Sequence, residues 1–150
     1  MSESKALPCA TWPSPLSPAM AAAGGVTLGF AGSAGALLLW VEGRPAEKGR
    51  SVLVSCVPGG TPADILDASA NVRTRVHEYG GMPWAAVADR LVFSMFADQQ
   101  LHVRDANGRV EAITPAGCRY ADGQAAPGGV MASTRPLASR TCSCWSANIE

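Results

Sequence analysis

An all-β fold is what this sequence predicts, on three observations. Short β-type runs recur along the chain, turn residues separate them, and no stretch keeps a convincing helical period. The runs are Val26–Phe30, Ala36–Glu42, Ser51–Val57, Ala63–Leu66, Val72–His77, Trp84–Ala88, Leu91–Met95, Gln100–Arg104 and Val110–Thr114. Between them lie Gly32–Gly35, Arg44–Gly49, Pro58–Pro62, Gly80–Pro83, Ala88–Arg90 and Asp105–Gly108, rich in the residues that turns require.

The runs also repeat. Leu37–Glu42 answers to Leu91–Met95, Ser51–Val57 to Gln100–Arg104, and Ala63–Leu66 to Val110–Thr114. The offset of about 50 residues matches one four-stranded propeller blade. The expected architecture is therefore about two antiparallel blades of an incomplete β-propeller. Blade one spans about 26–66 and blade two about 76–114, and a third starts near Arg119–Gly123. Residues 1–18 form a Pro/Ser-rich lead-in, 19–125 the partial propeller, and 126–150 a divergent tail. That tail, rich in Ser, Thr, Arg and Cys, is expected to be irregular and to carry no alternating strand. Because a propeller array should not stop mid-blade, truncation or a change of reading frame near residue 130 is the preferred explanation over a plain flexible end.

Composition narrows the function. With 47% hydrophobic residues, wholesale disorder is disfavoured. Twelve basic residues cancel twelve acidic ones, so counterion release gives no pull toward nucleic acid, and no polybasic run addresses a membrane surface. The uncharged stretch Ala19–Val41 is long enough to span a bilayer, but Gly24, Gly25, Gly29, Gly32 and Gly35 interrupt it as turns would. Pro8, Pro13, Pro15 and Pro18 break the apolar core a secretion signal needs. Five cysteines (Cys9, Cys56, Cys118, Cys142, Cys144) follow no framework spacing, and two histidines far off in sequence complete no zinc set. Reduced thiols in a cytoplasmic protein, with no metal and no cofactor, are the expectation.

Four segments carry the sharpest patterning. Trp40–Arg50 reads as a hairpin with a charged loop in which Glu42, Arg44, Glu47 and Arg50 can pair, a weak contribution when exposed. Asn71–Gly81 alternates, with Val72, Thr74 and Val76 on one face and Arg73, Arg75 and His77 on the other; Gly80 and Gly81 then permit positive φ or close backbone approach. Phe93–Leu101 and Arg119–Gly123 complete the set.

Together these segments resemble the N-terminal propeller of prolyl oligopeptidase-family serine peptidases, of the dipeptidyl and acylaminoacyl peptidase type. The likeness covers about residues 12–125 in the family's order and spacing. It rests chiefly on His77-Glu78-Tyr79-Gly80-Gly81 with its upstream arginines, on Phe96-Ala97-Asp98-Gln99 and on Arg119-Tyr120-Ala121-Asp122-Gly123. Met82-Pro83 stands where the family usually shows a third glycine. The resemblance implies a propeller gating access to a C-terminal α/β-hydrolase domain, which carries a Ser-Asp-His triad and cleaves short peptides or N-terminal blocking groups. That domain would be the partner of this chain, and peptide a substrate only of the whole.

No catalytic residue is expected within these 150 residues. Ala31-Gly32-Ser33-Ala34-Gly35 imitates a nucleophile elbow, but the elbow needs a following helix, and Ala36–Glu42 reads as a strand. His77 and Glu78, adjacent on a strand, should point to opposite faces and so not share one proton. Arg73, Arg75, His77, Glu78 and Tyr79 are instead candidates for a gating or interface cluster. His102 is expected to be an outward polar residue, and Trp40, Trp84, Phe93 and Phe96 to pack between blades. Two blades alone would leave broad apolar faces and strand edges bare, so marginal folding is expected. The rival reading is a free-standing propeller-type interaction module; a small hydrolase in its own right is a third.

Overall fold

The computed structural model describes residues 13–137 and 143–148; Cys9 in the lead-in and Cys142 in the tail lie outside the described residues. Among the described residues, eleven strands form three open antiparallel sheets. The first sheet holds β1 (Thr27–Ala34), β2 (Leu37–Arg44), β3 (Arg50–Cys56) and β4 (Ala63–Asp64) in that order. The second holds β5 (Trp84–Val87), β6 (Arg90–Ser94), β7 (Leu101–Arg104) and β8 (Val110–Ala112). The third has β9 (Cys118–Ala126), β10 (Gly129–Pro136) and β11 (Ser143–Asn148), with β10 in the middle. Two four-stranded blades are thus present, and within each the strands pair with their neighbours in sequence.

The middle blade is buried on both sides, which its alternation makes possible. Trp84 and Phe93 join Leu39, Val41, Leu53, Leu66 and Val72 in a core against blade one. Val87, Val92, Leu101 and Val103 face the other way, onto Tyr120, Val130 and Ala132 of the third sheet. Side chains at successive strand positions point to opposite faces, so the same strands feed both cores. No helix among the described residues is long and apolar enough to cross a membrane. Within Ala19–Val41 the chain instead builds β1, most of β2 and a single-turn helix α1 (Pro18–Ala22). Ser17 caps that turn, its Oγ accepting the Met20 amide at 3.0 Å, and Pro18 sits just inside its start, the position proline tolerates best.

Four details depart from the sequence expectation. Gly32–Gly35 is not the turn; β1 continues through Ala34, and the turn falls at Gly35–Ala36. Gly32 is needed for another reason: a Cβ there would lie 2.8 Å from the Trp84 indole, whose Nε1 donates to the Phe30 carbonyl at 2.8 Å. Val72–His77 forms no strand, making only one bridge, Val72 to Met95. The single-turn helix is the third departure. The tail is the fourth, for residues 129–136 and 143–148 are strands where an irregular end was expected. The alternation is there, as Val130, Ala132 and Thr134 are buried while Met131 is exposed, but small polar side chains mute it.

Candidate functional site

The segment from Val72 to Gly81 crosses from blade one to blade two. Val72, Thr74 and Val76 are buried and Arg73 and Arg75 exposed, so the predicted alternation holds although a full ladder does not form. Neighbours on both blades satisfy its backbone instead. The Val72 amide donates to the Ser51 carbonyl at 2.8 Å and the Arg73 amide to the Ser94 carbonyl at 3.1 Å. Gln99 then clamps the next residue: its Oε1 accepts the Arg75 amide at 2.8 Å while its Nε2 donates to the Phe96 carbonyl at 2.7 Å.

At His77 the chain turns sharply. His77 and Glu78 both take positive φ, 53° and 67°, and Gly80 follows at 98°. The Glu78 amide donates to the Arg75 carbonyl and the Gly80 amide to the Val76 carbonyl. Two successive non-glycine residues in the left-handed region cost on the order of 1–3 kcal/mol each, so the surroundings must hold them there. His77 and Glu78 therefore do not sit on opposite faces of a strand, as expected, but are corners of one turn.

What holds the turn comes from the third sheet. Arg119 donates to a Glu78 carboxylate oxygen at 2.7 Å and to the Arg75 carbonyl at 3.1 Å. Arg135, directly opposite Arg119 on β10, reaches the same Glu78 oxygen at 3.7 Å. Like charges opposite one another on a sheet repel, and Glu78 offsets that repulsion. The hydrogen bond from Arg119, then the charges of Arg119, Arg135 and Arg75, hold the Glu78 carboxyl below the usual carboxylate range. Below this, Gly81 presses on β9: a Cβ would lie 2.9 Å from Ala121 Cβ and from an Asp122 oxygen. Asp122 pairs with Met82 in both directions, its Oδ1 accepting the Met82 amide at 2.9 Å and its own amide donating to the Met82 carbonyl at 2.8 Å.

The three sequence motifs, far apart in the chain, therefore meet at one place. Of the five candidates, Glu78 and the Arg75 backbone enter the ion cluster. His77 and Tyr79 sit beside each other, ring centroids 6.4 Å apart, and Tyr79 is 93% exposed. Arg73 stands apart, its guanidinium 5.3 Å from the centre of the Phe96 ring. Arg119, Gln99 and Asp122 lie in the segments that carry the family resemblance, where sequence alone gives them no role, and Arg135 lies in the stretch expected to be an irregular tail.

Elsewhere the chemistry is plain. Ser33 is exposed in β1, paired opposite Leu38, and a strand follows it, so no strand–turn–helix elbow forms. Among the described residues no three His, Cys, Asp or Glu side chains gather as a metal site. His102 is not turned outward: it is half-buried on the side of blade one, stacked on Phe93 with centroids 5.8 Å apart, and its Nε2 lies 2.8 Å from Asp98.

Solved structures carry the same architecture. A puromycin hydrolase superposes with a TM-score of 0.74 at 32% identity over 90% of this chain. A puromycin-hydrolysing peptidase of Mycobacterium tuberculosis does so with a TM-score of 0.76 at 36% identity over 85%. This chain spans only 23% and 22% of those proteins' lengths. No protein-family model matches it, and no curated protein sequence does.

Proposed function

We propose that this chain, which resembles the N-terminal propeller region of prolyl oligopeptidase-family serine peptidases, serves as a non-catalytic wall and gate of such an enzyme. In this reading an α/β-hydrolase domain docks on it and does the chemistry on peptides, while the His77–Gly81 turn borders the way in. One observation carries the proposal: a strained turn is locked by Arg119, Arg135, Gln99 and Asp122, yet displays an almost fully exposed Tyr79. Strain held by this much surrounding structure is the pattern of a functional loop, and an exposed aromatic on a rigid loop suits contact with substrate or partner.

Two measurements test this. The chain alone, given aminoacyl and acyl-peptide reporters, should show no turnover above buffer. Turnover that Ser33→Ala abolishes would overturn the proposal. In a full-length peptidase carrying this segment, Glu78→Gln and Tyr79→Ala should raise KM for peptides several-fold with kcat little changed; no change in either constant would remove the gating role.

The rival, a free-standing interaction module, draws support from the outer face of blade one. There Leu28, Phe30 and Leu38 are exposed around a shallow apolar hollow. A chain that is monodisperse and captures no hydrolase domain would favour it.

A further inference from the structure

Beside the apolar core of Trp84 and Phe93, part of the seam between blades one and two carries polar side chains. On β7 the alternation sends Leu101 and Val103 into the core with the third sheet. His102 and Arg104 therefore face blade one, opposite Phe93 and Leu91 on β6. Beside them lies a hollow of about 380 Å3, walled by Leu66, Met95, His102, Arg104 and Val110. A second hollow of about 270 Å3, with Leu39 and Leu91 in its wall, lies on the other flank of Arg104. The first is within the size range of pockets that take small ligands, and it combines apolar walls with a few polar groups as such pockets do.

Charge decides which ligand. Arg44, Arg50, Arg109 and Arg119 each have a carboxylate partner. Arg104 has none within 4 Å among the described residues, and its guanidinium donates only to the Asp105 carbonyl, at 3.3 Å. Asp67 also borders the hollow as an anion; its Oδ1 accepts from the Ser69 amide at 2.8 Å and the Ser69 hydroxyl at 2.5 Å, and the Arg50 guanidinium donates to its backbone carbonyl at 3.4 Å. His102 is fixed by Asp98 and by its stack on Phe93. Arg104 is thus a cation on the wall with no carboxylate paired to it, beside apolar surface.

We infer that this seam is a binding site for a small monocarboxylate with a flat apolar body. The carboxylate pairs with Arg104 through the two parallel hydrogen bonds that a guanidinium fork offers. The body lies against Leu66, Met95 and Val110. The inference is independent of the peptidase reading, because it rests on the wall of the seam and not on the His77–Gly81 turn.

The test is a titration of the isotope-labelled chain with benzoate and, separately, with benzamide, which has the same shape without the charge. Benzoate should shift amide signals in 65–70, 93–95 and 102–110 with a Kd of about 1 mM, at least about tenfold tighter than benzamide. Arg104→Gln should abolish that preference, and Arg104→Lys should keep part of it. Equal binding of the two probes, shifts elsewhere in the chain, or no shift up to about 20 mM benzoate would overturn the site, the last meaning that water alone fills the seam. If Arg104→Gln fails to fold, the comparison of the two probes on the unaltered chain decides alone.

Discussion

The two seams of the middle blade differ, although one set of strands builds both. Toward the third sheet, Val87, Val92, Leu101, Val103, Tyr120, Val130 and Ala132 close a continuous apolar core. A buried polar link crosses this seam, the Ser94 hydroxyl donating to the Tyr120 carbonyl at 2.8 Å. Toward blade one, the inner half of the seam is equally dry, with Trp84 and Phe93 in its core, but the outer half opens into hollows lined by His102 and Arg104. Period two in β7 decides the contrast: Leu101 and Val103 read out on one side, His102 and Arg104 on the other. A strand can thus close one interface while leaving its neighbour partly open.

The largest way to break this comparison is Phe93→Ala. Phe93 is 0% exposed and lies where the dry and wet halves of the first seam meet. Loss of a buried phenyl group costs about 3–5 kcal/mol when the site cannot collapse. Urea melts should show a loss of that size. A loss below about 1 kcal/mol would mean that the hollow already extends through the seam and that its dry half is not closed.

Ser94→Ala probes the second seam at a smaller scale. It leaves the Tyr120 carbonyl without the hydroxyl that serves it, which costs about 1–3 kcal/mol for a buried acceptor. A neutral result would show that water enters this seam as well. Alkaline pH offers a finer probe. Burial, and then the neighbouring Cys118, push the Tyr120 hydroxyl up to about 12. An acid whose folded pKa is raised contributes its stability in full below the unfolded value of about 10, and that contribution fades as pH rises from there toward 12. Tyr120→Phe should flatten the melting temperature over that window while changing it little at pH 7. An unchanged slope would assign the alkaline loss to other groups.

Much of this was legible in the sequence, and the misses have physical causes. Eight of nine expected runs overlap a strand, because apolar alternation and turn residues report burial directly. Val72–His77 alternates in burial without a ladder, since side-chain pattern does not say where backbone groups bond. Gly32 looked like a turn, yet its role is steric, making room for an indole more than 50 residues away. The third sheet is foreseen at its start, Arg119–Gly123 in β9, but β10 and β11 are not, because Ser133 and Thr134 dilute the pattern, and with them went Arg135. The motif around His77 stood out as a unit, but its partners Gln99, Arg119 and Asp122 could not be matched to it without the fold.

The smallest expected effect separates the seams from the charged end of blade one. There Arg44 bridges Glu42 at 2.8 Å, Glu47 at 3.2 Å and Asp64 at 2.7 Å, and Arg50 joins through Glu47. The hydrogen bond from Arg44 holds Asp64 below its ordinary pKa. A carboxylate lowered in this way contributes stability above its unfolded pKa of about 3.9, and that contribution disappears as pH falls through the lower folded value. Asp64 is more than a third exposed, so solvent and salt screen the pair, and Asp64→Asn should cost less than about 1 kcal/mol at pH 7. At a pH well below that lowered folded value, or in about 1 M salt, the variant and the parent should melt together. If Asp64→Asn instead matched Phe93→Ala, blade one would be held by its ion network, and the contrast between a dry seam and a wet one would not be what sets the stability of this chain.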